Sequence, residues 1–341
     1  MASIIRYLKK FTGVILLIIV LLIIQALSDL SLPKYTSDIV DVGIQQSGIK
    51  EIAPKIIRKS ELEKLMIFMS EEDRNYMEDN YTLLAKENLP QVELDEYVKQ
   101  YPELNNTALY KENSVDKEIE EKLDDIFSKP ITIVENLEGN KEMADRFKSS
   151  LVGAMPEGMV GDADDVFELL DMLPQSTLDN IVNNMNESLR SVPEMMLSQG
   201  GISYVKNEYK AIGIDVDSQQ INYIFGAGIK MIGVALIGGG AVVSVSFLAS
   251  RVAAGLAKNL RKDVFKKVIS FSNSEFDKFS TASLITRTTN DIVQIQTFVV
   301  MMLRMIFYAP ILGIGGIIKV LGTNRSMTWI IAVAVGAILV I

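Results

Sequence analysis

The sequence predicts an all-α membrane protein with an incomplete set of long transmembrane helices and a mainly helical extracellular domain. Three observations predict this fold class. The chain is 48% hydrophobic yet 23% charged, which fits if different regions supply the two kinds of residue. Residues 50–219 hold 36 acidic and 18 basic side chains, a net of −18, whereas the remainder holds 7 acidic and 16 basic ones, a net of +9. The long apolar runs lie outside that acidic region, so a soluble domain interrupts a membrane part.

The chain contains neither cysteine nor histidine. Disulfides and thiolate chemistry are therefore excluded, and the commonest general base and zinc ligand is missing. The acidic region must be stable through its own core, and about 170 residues are enough to form one.

Residues 1–10 place Arg6, Lys9 and Lys10 among apolar side chains. This pattern fits an amphipathic helix on the inner membrane surface or a simple basic flank, and both readings stay open. The apolar run Phe11–Leu27 begins the first transmembrane helix, predicted over 11–49 with an extracellular extension and a kink near Pro33. A secretory signal peptide is disfavoured because no small-residue cleavage pattern follows the run.

The acidic domain, residues 50–219, shows the pattern of short amphipathic helices. We predict helices at 62–69, 114–127, 141–151, 163–173 and 175–189, caps at Ser114, Asp162 and Ser176, and a short strand at 130–134.

Two apparent motifs in this domain predict no site. One is an acidic run that lacks the glycine and the distal glutamate of a calcium loop, so it indicates a solvated helix start and no metal. The other is the Asn-x-Ser/Thr triplet, which we attribute to chance. The residues concerned are Asp162, Asp164, Asp165 and Glu168, and Asn80, Asn105 and Asn186.

The second transmembrane helix is predicted over 220–271. Its apolar part is 224–249, and an amphipathic stripe continues to Phe271. About fifty residues make a rod of roughly 75 Å, while the hydrocarbon needs about 30 Å, so the helix projects into water. Gly238–Gly240 predicts close helix packing, since no Lys-Ser/Thr follows it and no Walker A sequence occurs in the chain.

The third transmembrane helix is predicted over 282–322, with a polar first half and an apolar second half. Residues 327–341 would begin a fourth, and we expect the chain to be part of a longer protein. Basic residues outnumber acidic ones in Arg251–Arg287, eight to three. The positive-inside rule therefore places 251–296 and the N-terminus in the cytoplasm and 50–219 outside.

The polar turn between the second and third helices mixes aromatic and charged side chains. Aromatic anchors with flanking charges indicate docking to another domain. A solvated loop whose phenylalanines fold back on their own helices is the alternative.

The segment EFDKFSTASLITRTTNDIVQIQ resembles the first intracellular loop of ABC exporters. The matching positions are Phe276, Asp277, Ser283, Leu284, Thr286, Arg287, Asn290 and Asp291. This resemblance implies ABC exporter-type long helices, an elbow helix at 1–10 and a coupling helix at 272–281. The coupling helix would seat in a groove of a nucleotide-binding domain through Ser274, Glu275, Phe276, Asp277, Lys278 and Phe279.

The resemblance also implies partners outside this chain. The full subunit would have six spans and an ATPase domain, and ATP and magnesium would be bound there. The whole protein would then be an ATP-hydrolysing translocase, although this chain contributes no hydrolytic residue. The large insertion resembles one half of heterodimeric bacterial multidrug transporters, which implies a second half-transporter in the bacterial plasma membrane. We expect contact with the lipid bilayer and none with nucleic acid.

Export by alternating access would need a substrate cavity between the spans. For each candidate residue, packing between helices is the alternative role, and drug, lipid and peptide substrates stay open. A different function, a membrane-anchored sensor acting through its acidic domain, also fits the pattern. The candidate cavity residues are Gln25, Asn290, Gln294, Gln296, Met301, Met302 and Arg304.

Overall fold

The computed structural model describes residues 6–113, 116–154, 166–272, 280–323 and Trp329. The chain divides into two compact units, which are described separately. The membrane unit comprises residues 1–37 and 227–341, and the acidic unit comprises residues 38–226. Most of the predicted fourth helix, 327–341, lies outside the described residues.

The described helices and strands follow in chain order. The strands are β1 Ile56–Arg58, β2 Tyr81–Leu84 and β3 Leu109–Glu112. Short 3₁₀ segments cover Lys9–Phe11 and Pro102–Asn105, and a π-helical segment covers Ile39–Gln45. The α-helices are α1 Thr12–Asp38, α2 Lys59–Ile67, α3 Glu71–Asn80, α4 Gln91–Gln100, α5 Lys117–Gly139, α6 Lys141–Ala154, α7 Val166–Asp171, α8 Gln175–Leu189, α9 Glu194–Ile212, α10 Val216–Ile269, α11 Thr281–Thr288 and α12 Asn290–Thr323.

Among the described residues, three helical stretches are long and apolar enough to cross a membrane. They are Arg6–Gln45, Val216–Ile269 and Ala282–Gly322. The last stretch is interrupted at Thr289, where α11 ends and α12 begins. The Thr289 hydroxyl donates to the Ile285 carbonyl at 2.8 Å, and such back-bonding competes with regular helix geometry.

The core of the membrane unit is formed where α1, α10 and α12 meet. Ile18 and Leu22 of α1 are buried against α10 and α12. Further toward the C-terminus of α1, Ser28 approaches Gly238 of α10. A Cβ atom added at Gly238 would lie 3.0 Å from the Ser28 Cβ. The predicted close packing therefore holds for Gly238, whereas a Cβ at Gly239 or Gly240 would meet no described atom within 4 Å.

The acidic unit has its own hydrophobic core around a small antiparallel sheet with strand order β1–β3–β2. The predicted strand at 130–134 is wrong, because these residues lie inside α5. Leu123, Phe127, Ile131 and Val134 are all fully buried, and their spacing follows the helical period along one face of α5.

The residues at the observed helix N-caps differ from the predicted ones. Asp116 caps α5 by accepting a hydrogen bond from the Glu118 amide at 3.0 Å. Ser176 lies inside α8, which begins after Pro174, so the cap prediction there is wrong. Ser114 and Asp162 lie outside the described residues, as do Asp164 and Asp165, while Glu168 belongs to α7.

A partly buried ion pair joins β1 to α9. The Arg58 guanidinium donates to Glu208 Oε2 at 2.6 Å, and the Arg58 amide donates to Glu208 Oε1 at 2.8 Å. The Glu208 side chain is only 2% exposed. Its neighbour Tyr204 donates to Glu61 at 3.1 Å, so this polar core is hydrogen-bonded on several sides.

Candidate substrate-binding site in the membrane unit

A cavity of about 340 Å³ lies between α1 and α12. Its wall is mostly apolar, with a few polar side chains, which is the composition of small-molecule sites. The lining residues are Leu22, Gln25, Val300, Met301, Arg304, Met305 and Tyr308.

Polar side chains at and beside this cavity form two pairs, one on α1 and one on α12, that face each other. Gln25 and Asp29 are four residues apart on α1, and Arg304 and Tyr308 are four apart on α12, so each pair shares a helix face. The Tyr308 hydroxyl donates to Asp29 Oδ2 at 2.6 Å. The Gln25 side chain is a second hydrogen-bond partner of that hydroxyl. Tyr308 thus connects the two helices through polar bonds.

This polar group lies level with the middle of the apolar stretch of α10 and at the end of the apolar run of α1. Ser28 packs against Gly238, and Gly238 is central in the apolar stretch 224–249 of α10. Gln25 and Asp29 are within one helical turn of Ser28. Ionisable side chains at such a depth are costly, and they mark substrate or ion pathways.

The two basic side chains in the apolar half of α12, Arg304 and Lys319, differ in how they are engaged. The Lys319 ammonium donates to the Leu30 carbonyl oxygen. For the Arg304 guanidinium, the described part of the chain supplies no ion-pair or hydrogen-bond partner. Arg304 therefore brings a positive charge to the cavity wall that remains available to a ligand.

The structure brings together Gln25, Met301 and Arg304 among the predicted cavity residues. Met302 is half-buried against the core that α1, α10 and α12 form. The predicted polar positions at the start of α12 do not line the cavity: Asn290 and Gln294 are exposed there and Gln296 is half-buried.

The predicted coupling residues lie outside the described residues. They are Ser274, Glu275, Phe276, Asp277, Lys278 and Phe279. The described chain leads to them from the end of α10 at Ile269 and continues from α11, whose N-terminus is capped by the Ser280 hydroxyl.

Sequence reasoning missed Asp29, Tyr308 and Lys319. Asp29 follows the apolar run that ends at Leu27, so its place in the sequence alone predicts a carboxylate beyond the hydrocarbon. A usable signal was present, since Gln25 with Asp29 and Arg304 with Tyr308 repeat the four-residue spacing of one helix face.

The acidic unit contains a larger cleft of about 890 Å³, bounded by α3, α5 and α8. Two of its three lining cations, Arg74 and Lys122, are already engaged by the protein, whereas Lys129 has no partner in the described part of the chain. The Arg74 side chain donates to the Met69 carbonyl at 3.1 Å, and the Lys122 ammonium lies 3.7 Å from the centre of the Tyr76 ring. The cleft lies outside the three helical stretches that are long and apolar enough to cross a membrane, so it is a weaker candidate for a transport site than the cavity beside Arg304.

Comparison with known proteins shows similarity to ABC transporters. Residues 179–341 match the ABC transporter transmembrane region. The chain is 34% identical over 126 residues to the ABC transporter ATP-binding protein YfiB of Bacillus subtilis, covering 37% of this chain and 22% of that protein. It is 35% identical over 108 residues to an ABC transporter ATP-binding protein of Mycobacterium tuberculosis, covering 32% of this chain and 19% of that protein. A putative export ATP-binding/permease protein of Rickettsia felis is 26% identical over 95 residues, which are 28% of this chain and 16% of that protein.

Each of these matches spans less than a quarter of the relative's own length. Residues 179–341 are thus similar to ABC transporter transmembrane regions, and the described chain has three helical stretches that are long and apolar enough to cross a membrane.

Proposed function

We propose that this chain supplies transmembrane helices of an ATP-driven exporter that works by alternating access. The match of residues 179–341 to the ABC transporter transmembrane region carries the proposal. The cavity between α1 and α12 would be part of the translocation path, because its polar side chains face one another in the apolar part of the helices. The transported compound belongs to the drug, lipid or peptide classes.

In this proposal, residues 272–281 form the coupling helix. Phe276 and Phe279 anchor it in a groove of a nucleotide-binding domain, while Glu275, Asp277 and Lys278 orient it and Ser274 lies at its start. ATP and magnesium are bound by nucleotide-binding domains outside this chain. ATP-driven closure of those domains then moves α10 and α11 through the docked segment.

The proposed location is the bacterial plasma membrane, with residues 1–10 as an elbow helix. Excess basic charge supports a cytoplasmic 251–296, and net acidity supports an extracellular 50–219. A second half-transporter completes the path, and the large insertion between the first two spans favours a heterodimer.

The test uses the full-length protein and its partner in proteoliposomes. Replacing Phe276 and Asp277 together with alanine is expected to abolish substrate-stimulated ATP hydrolysis and transport, while the protein still folds and inserts. Phe265→Ala is the matched control, because Phe265 is an exposed phenylalanine on α10, 62% exposed and outside the proposed coupling helix. Normal coupling in the double variant would refute the proposed docking role.

The second candidate function is a membrane-anchored sensor. It is favoured by one observation, the compact acidic unit with its own core and a cleft of about 890 Å³. The discriminating measurement is ATP-dependent transport by the full-length protein with its partner. If no transport occurs and no ATPase subunit co-purifies, the sensor is the better explanation.

A further inference from the structure

We propose that the cavity between α1 and α12 selects amphiphiles with an anionic head group, a carboxylate or a phosphate, and that Arg304 binds the head group. The inference rests on the proposed export function, because it names the substrate class of that same cavity. Four properties of the described residues support it.

The first property is the charge of the cavity wall. Arg304 is the charged residue among the described lining positions, and its guanidinium has no partner within the described chain. Asp29 does not belong to the lining, and its carboxylate already accepts a hydrogen bond from Tyr308 at 2.6 Å. A ligand in the cavity therefore meets a positive wall.

The second property is depth. Arg304 shares the cavity with Gln25, which is one turn from the Ser28–Gly238 contact, at the middle of the apolar stretch of α10. An uncompensated guanidinium in such surroundings is costly. A bound anion offsets that cost, whereas a bound cation adds like-charge repulsion at short range.

The third property is the set of hydrogen-bond donors. Carboxylate and phosphate oxygens match the planar fork of a guanidinium, and such charge-assisted pairs are the strong ones. Gln25 has an amide NH₂ group at the same wall, and its second N–H is left for a ligand when the first donates to the Tyr308 hydroxyl oxygen. An anion with two or three oxygens can therefore accept hydrogen bonds from Arg304 and from Gln25 together.

The fourth property is the apolar remainder of the wall. Leu22, Val300, Met301 and Met305 provide a hydrocarbon surface beside the guanidinium. Unbranched methionine side chains adapt to irregular shapes. This surface suits a flexible alkyl or aryl body more than a compact inorganic anion, so the ligand is an amphiphile.

The experiment measures equilibrium binding without ATP, using full-length protein in nanodiscs of neutral lipid. The probes are radiolabelled dodecyl phosphate, dodecanoate and dodecyltrimethylammonium, with empty nanodiscs as the blank. We expect at least one anionic probe to bind at least tenfold more tightly than the cationic probe. Whichever of the two anionic probes binds more tightly then identifies the head group as a phosphate or a carboxylate.

Arg304→Gln is expected to weaken anion binding at least tenfold, and Arg304→Lys to retain the preference for anions. Arg251→Gln removes an exposed arginine on α10 outside the cavity and should leave binding unchanged. Equal or tighter binding of the cationic probe would overturn the inference, as would unchanged anion binding in a folded Arg304→Gln protein. If Arg304→Gln fails to fold, the test is the preference for anionic over cationic probes in the unaltered protein and in Arg304→Lys. Loss of that preference in either protein would overturn the inference.

The two proposals fail separately. Loss of coupling in the Phe276 and Asp277 variant together with a cation preference would leave the exporter and remove the substrate class. Anion binding in a protein that shows no ATP-driven transport would leave the binding site and remove the export function.

Discussion

The Tyr308 hydroxyl donates a hydrogen bond of 2.6 Å to Asp29 Oδ2, joining residues 279 positions apart in the sequence. Because the acceptor is a carboxylate, this bond is charge-assisted. It connects α1 to α12 directly beside the proposed binding cavity. Its strength therefore influences both the packing of the membrane unit and the shape of the site.

Tyr308→Phe and Asp29→Ala are expected to show a coupling energy of about 1 kcal/mol in a double-mutant cycle. Each change removes the same bond, so the double variant should be less destabilised than the sum of the single ones. Thermal unfolding of full-length protein in nanodiscs measures it. Tyr35→Phe is the control on α1, and additive effects of the pair would contradict the expected coupling.

Gly238→Val is expected to lower the unfolding free energy by about 1–3 kcal/mol. A Cβ atom there would already approach Ser28 to 3.0 Å, and valine adds two methyl groups. Gly239→Val is the neighbouring control, since its added Cβ would meet no described atom within 4 Å. Thermal unfolding of both variants decides, and equal stability of the two would refute a tight contact between α1 and α10.

Glu208→Ala is expected to destabilise the acidic unit by about 3 kcal/mol. It leaves the Arg58 guanidinium and the Arg58 amide without their buried acceptor. Glu121→Ala is the matched control, because its pair with Lys117 is exposed, at 86% for the lysine and 71% for the glutamate, and should contribute less than about 1 kcal/mol. Calorimetry of the full-length protein measures both, and the transition that Glu208→Ala lowers belongs to the acidic unit.

The acidic unit is expected to lose stability as pH rises from about 4.5 to 7. Burial raises the pKa of Glu112 from 4.5 to about 7, and burial raises the pKa of Asp124 from 3.8 to about 6. In that window the folded unit holds protons that the unfolded chain has released, so higher pH favours unfolding. The calorimetric transition identified with Glu208→Ala should therefore move to lower temperature between pH 5 and pH 8.

Glu112→Gln should remove part of this pH dependence, since its amide stays neutral. The control Glu63→Gln changes a glutamate whose side chain is 59% exposed on α2 and should keep the slope of the unaltered protein. A transition that rises with pH would contradict the assignment of Glu112 and Asp124.

Hydropathy was sufficient to predict the long apolar helices, because a run of apolar residues is a local property of the sequence. The small sheet was missed because its strands have only three or four residues, Ile56–Arg58, Tyr81–Leu84 and Leu109–Glu112. An alternating pattern of apolar and polar residues that is only three or four residues long cannot be distinguished from a loop. Residues 130–134 look like a strand locally, yet the buried period that continues from Leu123 to Val134 belongs to a helix.

The candidate site could be predicted only in part for a different reason. Gln25, Met301 and Arg304 stand out individually as polar or adaptable residues in apolar surroundings. Their grouping with Tyr308, and the engagement of Asp29 by its hydroxyl, depend on which faces of α1 and α12 meet. One sequence without structural contacts does not contain that information.

The hydroxyl of Ser28 donates to the Ile24 carbonyl of its own helix at 2.9 Å. Among the described residues, the contact of α1 with α10 beside Gly238 therefore has no hydrogen bond across it. On its other side, α1 is joined to α12 through Tyr308 and Lys319. Along α10, the helical stretch that contains α1 is hydrogen-bonded through the Tyr7 hydroxyl, which donates to Asp263 at 2.6 Å, far along the chain from Gly238. Along α12, Tyr308 bonds both Asp29 and Gln25, and Lys319 bonds the Leu30 carbonyl. A shift of α1 relative to α12 would therefore break more polar bonds than a shift of the same size relative to α10.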